Sequence, residues 1–161
     1  MSTTTQKKSV QPIPAGYHTV TPYLVVDGAA AALEFYKKAF GASELFRMDG
    51  PEGKIMHAEF KIGDSPIMIA DEHPQMDALG PKARGGSPVT ILLYVNDVDA
   101  TFKQAVAAGA TVKREVANQF YGDRSGSLVD PFGHQWHLST HVEDVSPEEM
   151  QERMAKLPGT C

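Results

Sequence analysis

The 161 residues carry a formal net charge of −5, and 42% of them are hydrophobic, a composition typical of one globular domain. No basic run exceeds two residues, which argues against a nucleic-acid partner because phosphates require a positive surface. No apolar stretch reaches the roughly 20 residues that span a bilayer, and the first residues lack the apolar centre of a signal peptide, so we expect a cytoplasmic protein with no membrane partner.

The N-terminal half begins with residues 1–16, which are polar and broken by proline and predict a flexible arm. The elements predicted after the arm are a strand at Tyr17–Val26, a helix at Gly28–Phe40, a strand at Glu44–Met48 and a hairpin at His57–Glu72. Asp27 is the predicted N-cap of the helix and Gly41 its C-terminal stop. The Gly63-Asp64 pair predicts a two-residue turn within the hairpin.

The C-terminal half repeats this βαβββ order after residues 73–87, whose prolines and glycines predict a linker. Its predicted elements are a strand at Pro88–Val95, a helix at Val98–Ala108, a strand at Thr111–Glu115 and a hairpin within Phe120–His141. Asp97 is the predicted helix cap. Residues 143–161 predict a helical tail, because Ser146 to Glu149 forms a capping box. The single cysteine, Cys161, is the last residue and predicts no disulfide.

The two halves repeat the same order of predicted elements. Corresponding positions, such as Thr21 and Thr90 or Asp27 and Asn96, lie about 69 residues apart, and this constant offset indicates an internal repeat. We therefore predict a domain over 17–142, with modules at 17–72 and 88–142. A module of about 55 residues is marginally stable alone. The modules are expected to share a sheet or a core, or to pair with a second chain.

The twin βαβββ units, with FYKKAFGA at 35–42, MHAEFKIGDSPIMIADE at 56–72 and QFYGDRSGSLVDPFGHQWHLSTH at 119–141, resemble the vicinal oxygen chelate superfamily. That group includes glyoxalase I, bleomycin-resistance proteins and extradiol dioxygenases, and the most similar branch is often labelled demethylubiquinone methyltransferase-like. The resemblance implies an α+β fold in which two βαβββ modules form a curled mixed sheet with helices on its outer face. It also implies a cup-shaped ligand site and a homodimer. The sequence has no Gly-rich nucleotide loop after a strand that would support the methyltransferase label.

In metal-dependent members the cup holds four ligand positions, which the resemblance carries over to Thr21, Met68, Thr90 and His137. The metal enzymes of the family use His, Glu or Gln there, and this chain keeps only His137. Hydroxyl and thioether groups are poor ligands for the metals concerned. We therefore expect no metal and no other cofactor, with a divalent metal as the alternative.

Strand parity predicts which side chains line the cup. The two-residue turn sets Glu59 opposite Met68, with His57 on the same face, and parity in the second hairpin sets Arg124 and Leu128 on the His137 face. The predicted lining is Thr21, Tyr23, His57, Glu59, Met68, Thr90, Tyr94, Arg124 and His137, with Tyr121 as an aromatic wall.

Each of these candidates has a structural alternative. His57 and Glu59 are equally typical of the polar face of an exposed strand, and Arg124 has Asp123 and Asp130 nearby as ion-pair partners. Trp136 is a core residue by its pattern. His134, His137 and His141 cannot chelate one ion on a strand, since His134 and His137 point to opposite faces.

The predicted function is the binding of a small-molecule ligand in the cup, in the manner of bleomycin-resistance proteins and without a metal. One alternative is a metal-dependent lyase, isomerase or dioxygenase that uses His57, Glu59 and His137. A second is a metal-free enzyme in which Glu59 or His57 is the general base. A domain without chemistry remains the last alternative.

Overall fold

The computed structural model describes residues 10–159, so residues 1–9 of the predicted arm and Cys161 lie outside it. The first module consists of β1 (Tyr23–Val26), α1 (Ala29–Phe40), β2 (Ser43–Asp49), β3 (Ile55–Ile62) and β4 (Ser65–Asp71). The second consists of β5 (Thr90–Tyr94), α2 (Val98–Ala108), β6 (Thr111–Asn118), β7 (Asp123–Val129) and β8 (Gln135–His141), and α3 (Pro147–Ala155) follows it. None of the helices in this part of the chain is long and apolar enough to cross a membrane.

The strands form two separate four-stranded mixed sheets, in the orders β1-β4-β3-β2 and β5-β8-β7-β6. In each sheet the first strand of the module pairs in parallel with the last one, and the other pairs are antiparallel. This confirms the α+β class and the twin βαβββ order. The curled sheet is divided between the two modules and is not closed.

Each sheet packs one face against the helices and leaves the other face open. On the first sheet the buried face carries Leu24, Val26, Phe60 and Ile69, which alternate with outward-pointing residues as the strand period requires. On the second sheet Leu128, Trp136 and Leu138 are buried. The helices α1 and α2 pack against each other, so the two modules share one core through their helical sides.

The junction between the modules is aromatic and centred on Tyr36 of α1. Its ring stacks on Phe60 at a centroid distance of 5.2 Å and lies 5.3 Å from Trp136 of the second sheet. The Tyr36 hydroxyl donates to Asp130 Oδ2 at 2.7 Å, and Trp136 Nε1 donates to the same oxygen at 2.8 Å. Burial raises the pKa of Tyr36 well above its usual value, so this hydroxyl stays a proton donor.

Two expectations for the first module are wrong. The first strand begins at Tyr23 and not at Tyr17. Pro22 has no amide N–H to donate to a neighbouring strand. Only its carbonyl takes part in the sheet, by accepting a hydrogen bond from Met68 N at 2.9 Å. Asp27 does not cap α1. The amides of Gly28 and Ala29 donate instead to Asp71 Oδ1, at 2.8 and 2.9 Å, so a carboxylate at the end of β4 performs the capping.

The other local signals agree with the structure. Asp97 caps α2 through Ala100 N at 3.0 Å, and Ser146 caps α3 through Glu149 N at 3.2 Å. The predicted linker contains a short 3-10 helix at Pro74–Met76 and a bridge between His73 and Ala78. The linker therefore has a structure of its own beside the first sheet.

Candidate functional site

The open face of the first sheet, defined by Tyr23, Val25, His57, Glu59, Met68 and Ala70, carries a chain of hydrogen bonds. The register sets Glu59 opposite Met68, and Met68 opposite Tyr23, as the parity of the hairpin predicts. The Tyr23 hydroxyl lies 2.9 Å from His57 Nδ1, and His57 Nε2 lies 3.1 Å from Glu59 Oε1. Three of the predicted site residues are therefore directly connected.

Tyr17 extends this chain from the segment that precedes β1. Its hydroxyl donates to the second oxygen of Glu59, Oε2. Burial and the Glu59 carboxylate raise the pKa of Tyr17 to about 12, while hydrogen bonds from Tyr17 and His57 lower the pKa of Glu59. At neutral pH, Glu59 is ionised and Tyr17 is protonated. The sequence pattern did not identify Tyr17, because it was assigned to the start of a strand.

The protonation states fix the direction of these bonds. An ionised Glu59 only accepts, so His57 Nε2 carries the proton that it donates. In the neutral imidazole Nδ1 is then an acceptor for the Tyr23 hydroxyl. Burial and Glu59 raise the pKa of Tyr23, which keeps that hydroxyl protonated. The order Tyr23–His57–Glu59 connects a hydroxyl, a base that can accept its proton and a carboxylate that orients the base.

A cavity of about 680 Å³ lies beside Tyr23, between the open face of the first sheet and the 3-10 helices at Pro51–Gly53 and Pro74–Met76. Its apolar lining consists of Tyr23, Val25, Pro51, Ile55, Met56, Ala70, Pro74, Met76 and Ala78. Polar groups enter at its border from Glu52, Lys54, Asp71, Glu72, His73 and Gln75. The volume lies in the usual range for small-molecule sites. Met76 was missed from sequence because the linker had no predicted structure, and Met56 was missed because it lies just before the predicted start of the hairpin, within the observed β3.

His137 and Thr90, two of the predicted positions, lie on the open face of the second sheet. They line a second cavity of about 320 Å³ with Lys113, Arg114, Ser127 and Gln135. His137 Nδ1 is 2.9 Å from Ser127 Oγ. Burial and the nearby Arg114 lower the pKa of His137, although Asp123 opposes this shift. His137 is therefore a neutral imidazole near pH 7.

Tyr94 and Tyr121 lie at the other end of this face, around the buried Asp123. That carboxylate accepts from the Tyr94 hydroxyl at 3.0 Å, from Ser139 Oγ at 2.9 Å and from His141 Nδ1 at 2.8 Å. Burial raises the pKa of Asp123, but the three donors outweigh it and the pKa is lowered. Tyr121 lies nearby, with its hydroxyl 3.4 Å from Ser125 Oγ.

The expectation that Arg124 and Leu128 share a face with His137 is wrong. Ser127 is the residue opposite His137, and Leu128 is opposite Trp136, so Leu128 is in the core. Arg124 points to the helix side, where its Nε and Nη2 donate to Asp99 at 2.7 and 2.8 Å. Asp99, and neither Asp123 nor Asp130, is therefore its ion-pair partner, and Arg124 has a structural role.

The four family positions carry a donor set in this chain that does not suit a metal ion. Thr21 lies before β1, Met68 lies on β4, and Thr90 and His137 lie on the other sheet. Two hydroxyls, a thioether and one imidazole are a poor donor set for a transition metal. No three His, Cys, Asp or Glu side chains within residues 10–159 are arranged to hold an ion, so the alternative set of His57, Glu59 and His137 is not assembled either.

Comparisons with known proteins agree with the fold. The model of the Glyoxalase/Bleomycin resistance protein/Dioxygenase superfamily matches residues 17–138. An uncharacterised protein of Mycobacterium tuberculosis, Rv0887c, is 48% identical over 139 residues, which are 84% of this chain and 82% of that protein. The anthracycline biosynthesis protein DnrV of Streptomyces peucetius is 32% identical over 111 residues, 68% of this chain but 36% of DnrV.

Among solved structures, the PhnB protein of Bacillus cereus, described as a putative 3-demethylubiquinone-9 3-methyltransferase, is similar in fold. The TM-score is 0.60 at 18% identity, over 76% of this chain and 99% of that one. PhnB-type proteins are thus among the structural neighbours, as the sequence resemblance implied.

Proposed function

This chain belongs to the Glyoxalase/Bleomycin resistance protein/Dioxygenase superfamily, and we propose that it binds a small, planar, largely apolar organic molecule on the open face of the first sheet, without a metal ion. The observation that carries the proposal is the cavity of about 680 Å³ beside Tyr23. Cavities of this size with apolar walls and few polar groups are the usual form of small-molecule sites.

The walls of this cavity favour a flat ligand. Tyr23 is 51% exposed, and Met76, on the opposite rim, is 76% exposed, so both have apolar surface to cover. Methionine side chains adapt to irregular ligands and make favourable contacts with aromatic rings. The small Ala70 and Ala78 leave room between the walls.

The relative DnrV supplies a first probe, since its name refers to anthracyclines, which are planar and polycyclic. An anthracycline titration followed by ligand fluorescence tests the proposal. Met76→Glu places a charge on the rim of the cavity and is expected to weaken binding about tenfold. Met154→Glu is the matched control on α3, at a methionine 46% exposed and outside the cavity, and should stay within about twofold. Equal losses in both variants, or the absence of saturable binding, would refute the proposal.

We further propose that the protein is a homodimer whose ligand cup is completed by both modules. The open faces of the two sheets leave large apolar side chains exposed, among them Phe46 and Met48 on the first sheet and Leu92 on the second. Within residues 10–159, the edge strands β1 and β5 have no second neighbour. Light scattering at micromolar concentration should give twice the chain mass of 17.5 kDa. A mass of one chain would contradict the dimer.

A second candidate function is metal-free acid–base catalysis, which the Tyr23–His57–Glu59 chain of hydrogen bonds favours. In this step an acidic C–H of the substrate gives its proton to the Tyr23 oxygen, while the Tyr23 proton passes to His57 Nδ1. Glu59 stabilises the imidazolium that forms and keeps its own charge. The carbanion that remains on the substrate is the conjugate base of a ketone, that is, an enolate.

Deuterium exchange of 2-tetralone in D₂O tests this candidate, because that planar ketone has acidic α protons and fits the size of the cavity. Proton NMR should show exchange above the buffer rate for the native chain. His57→Gln should reduce the enzymatic part at least tenfold while anthracycline binding is kept. Exchange that survives in His57→Gln would refute the catalytic candidate and leave the binding proposal intact.

A further inference from the structure

The cavity of about 320 Å³ on the second sheet combines two cations with hydrogen-bond donors. Lys113 and Arg114 come from β6, Ser127 from β7 and His137 from β8, above a floor formed by Leu128 and Trp136. No carboxylate is among these lining residues. In a chain with a net charge of −5, this concentration of positive charge within a concave surface points to a ligand of opposite sign.

Arg114 differs from the other arginines of the chain. The other four, Arg47, Arg84, Arg124 and Arg153, each donate to a carboxylate of the same chain. The guanidinium of Arg114 has no hydrogen-bond or ion-pair partner within residues 10–159, although it borders a cavity. A guanidinium fork presents two parallel N–H groups that match the oxygens of a phosphate or a carboxylate.

A β-bulge brings the second cation to the same cavity. Val112 is opposite Leu128 and Arg114 is opposite Ser127, so Lys113 is the extra residue of β6. In a regular strand, consecutive side chains point to opposite faces, and a bulge re-aims one of them. The Lys113 ammonium is held by the neutral Gln135 side chain, which itself donates to the Ser87 carbonyl. The charge of Lys113 is thus fixed in position but not neutralised.

His137 and Ser127 add neutral donors between these cations. When Ser127 Oγ donates to His137 Nδ1, across 2.9 Å, the imidazole proton lies on Nε2 and is available to a ligand oxygen. The carboxylate whose charge acts on His137 is Asp123, which already accepts from Tyr94, Ser139 and His141. We propose that this cavity binds a small oxyanion group, a phosphate or a carboxylate, held by Arg114, Lys113 and His137.

The site lies within one chain and on the other sheet from the cavity of the proposed function, so the two can be tested separately. The probe is inorganic phosphate, with acetate as a second arm, titrated into the ¹⁵N-labelled full chain in a chloride buffer at constant ionic strength. The expected result is saturable shifts of the Ser127 and His137 amides and of Arg114 Nε–H. A stronger response to phosphate than to acetate assigns a phosphate-type ligand, and the reverse assigns a carboxylate.

Substitutions distinguish a specific oxyanion site from a general electrostatic attraction to positive surface residues. Arg114→Gln should weaken binding about tenfold, and Ser127→Ala about threefold. Arg84→Gln removes the same charge from an exposed ion pair with Asp77 and should change affinity by less than about twofold. If Arg84→Gln weakens binding as much as Arg114→Gln does, or if the shifts do not saturate, the oxyanion site is refuted. The dispersion of the amide spectrum reports in each case whether the variant is folded.

Discussion

The Tyr23 hydroxyl lies 2.9 Å from His57 Nδ1, although their strands, β1 and β3, are separated by β4. Two strand spacings are about 10 Å, so only a long side chain on one strand reaches a ring on the other. The contact passes over the open face beside the small Ala70, which lines the same cavity as Tyr23. The Tyr23 hydroxyl and the hydrogen-bonded side chains of His57 and Glu59 therefore form one connected network.

Tyr23→Phe is expected to separate binding from catalysis. The ring that forms the wall of the cavity is kept, so anthracycline affinity should change by less than about threefold. The hydroxyl that links the substrate to His57 is lost, so 2-tetralone exchange should fall at least tenfold. Tyr94→Phe, which removes an exposed hydroxyl on the other sheet, serves as the control. Unchanged exchange in Tyr23→Phe would show that His57 acts without Tyr23.

The stabilising effect of Glu59 should depend on pH. Its pKa in the folded chain is lower than the reference value of 4.5, so its contribution is present above about pH 4.5 and is lost as the pH falls through the folded pKa. The difference in urea stability between the native chain and Glu59→Gln should be largest near pH 7 and shrink as the pH falls below about 4.5. A difference that stays constant, or grows at low pH, would contradict the hydrogen-bonded, ionised state of Glu59.

Asp130 is expected to be one of the most sensitive positions for stability. Its two oxygens accept from Tyr36, Trp136 and the amides of Phe132 and His134. Asp130→Asn turns one acceptor into a donor that faces other donors, which should lower the free energy of unfolding by about 2–4 kcal/mol. Asp77→Asn breaks only an exposed ion pair and should cost less than about 1 kcal/mol. Similar midpoints in urea for both variants would contradict the role of Asp130 at the junction.

Elements that are determined by residues close to one another in the sequence were predicted well. The bounds of α2 agree because its cap, Asp97, and its stop, Gly109, lie within the segment. The parity of the first hairpin agrees because a two-residue turn fixes the register, with Ile62 opposite Ser65. The capping of α1 could not be predicted in this way, since Asp71 is about 40 residues distant in sequence.

The candidate site was predicted less completely for two physical reasons. The second hairpin has a five-residue connection, from Asp130 to His134, which sets Ser127 opposite His137. The predicted parity differed from this by one residue, and one residue inverts every side chain of a strand. Arg124 was therefore assigned to the open face, and Ser127 was missed. The bulge at Lys113 cannot be recognised from the alternation of polar and apolar residues along β6. Arg114 was therefore not predicted to line a cavity, although the Lys113-Arg114 pair is visible in the sequence.

The central claim is that the open face of the first sheet binds its ligand without a metal. Calorimetric titration of an anthracycline into protein freed of metal by EDTA, and into protein supplied with Zn²⁺, Ni²⁺, Mn²⁺ or Fe²⁺, tests it most directly. We expect one site per chain and an affinity that agrees within about twofold in all conditions. Binding that appears only with a metal, together with stoichiometric metal that is lost in His57→Ala or His137→Ala, would contradict it.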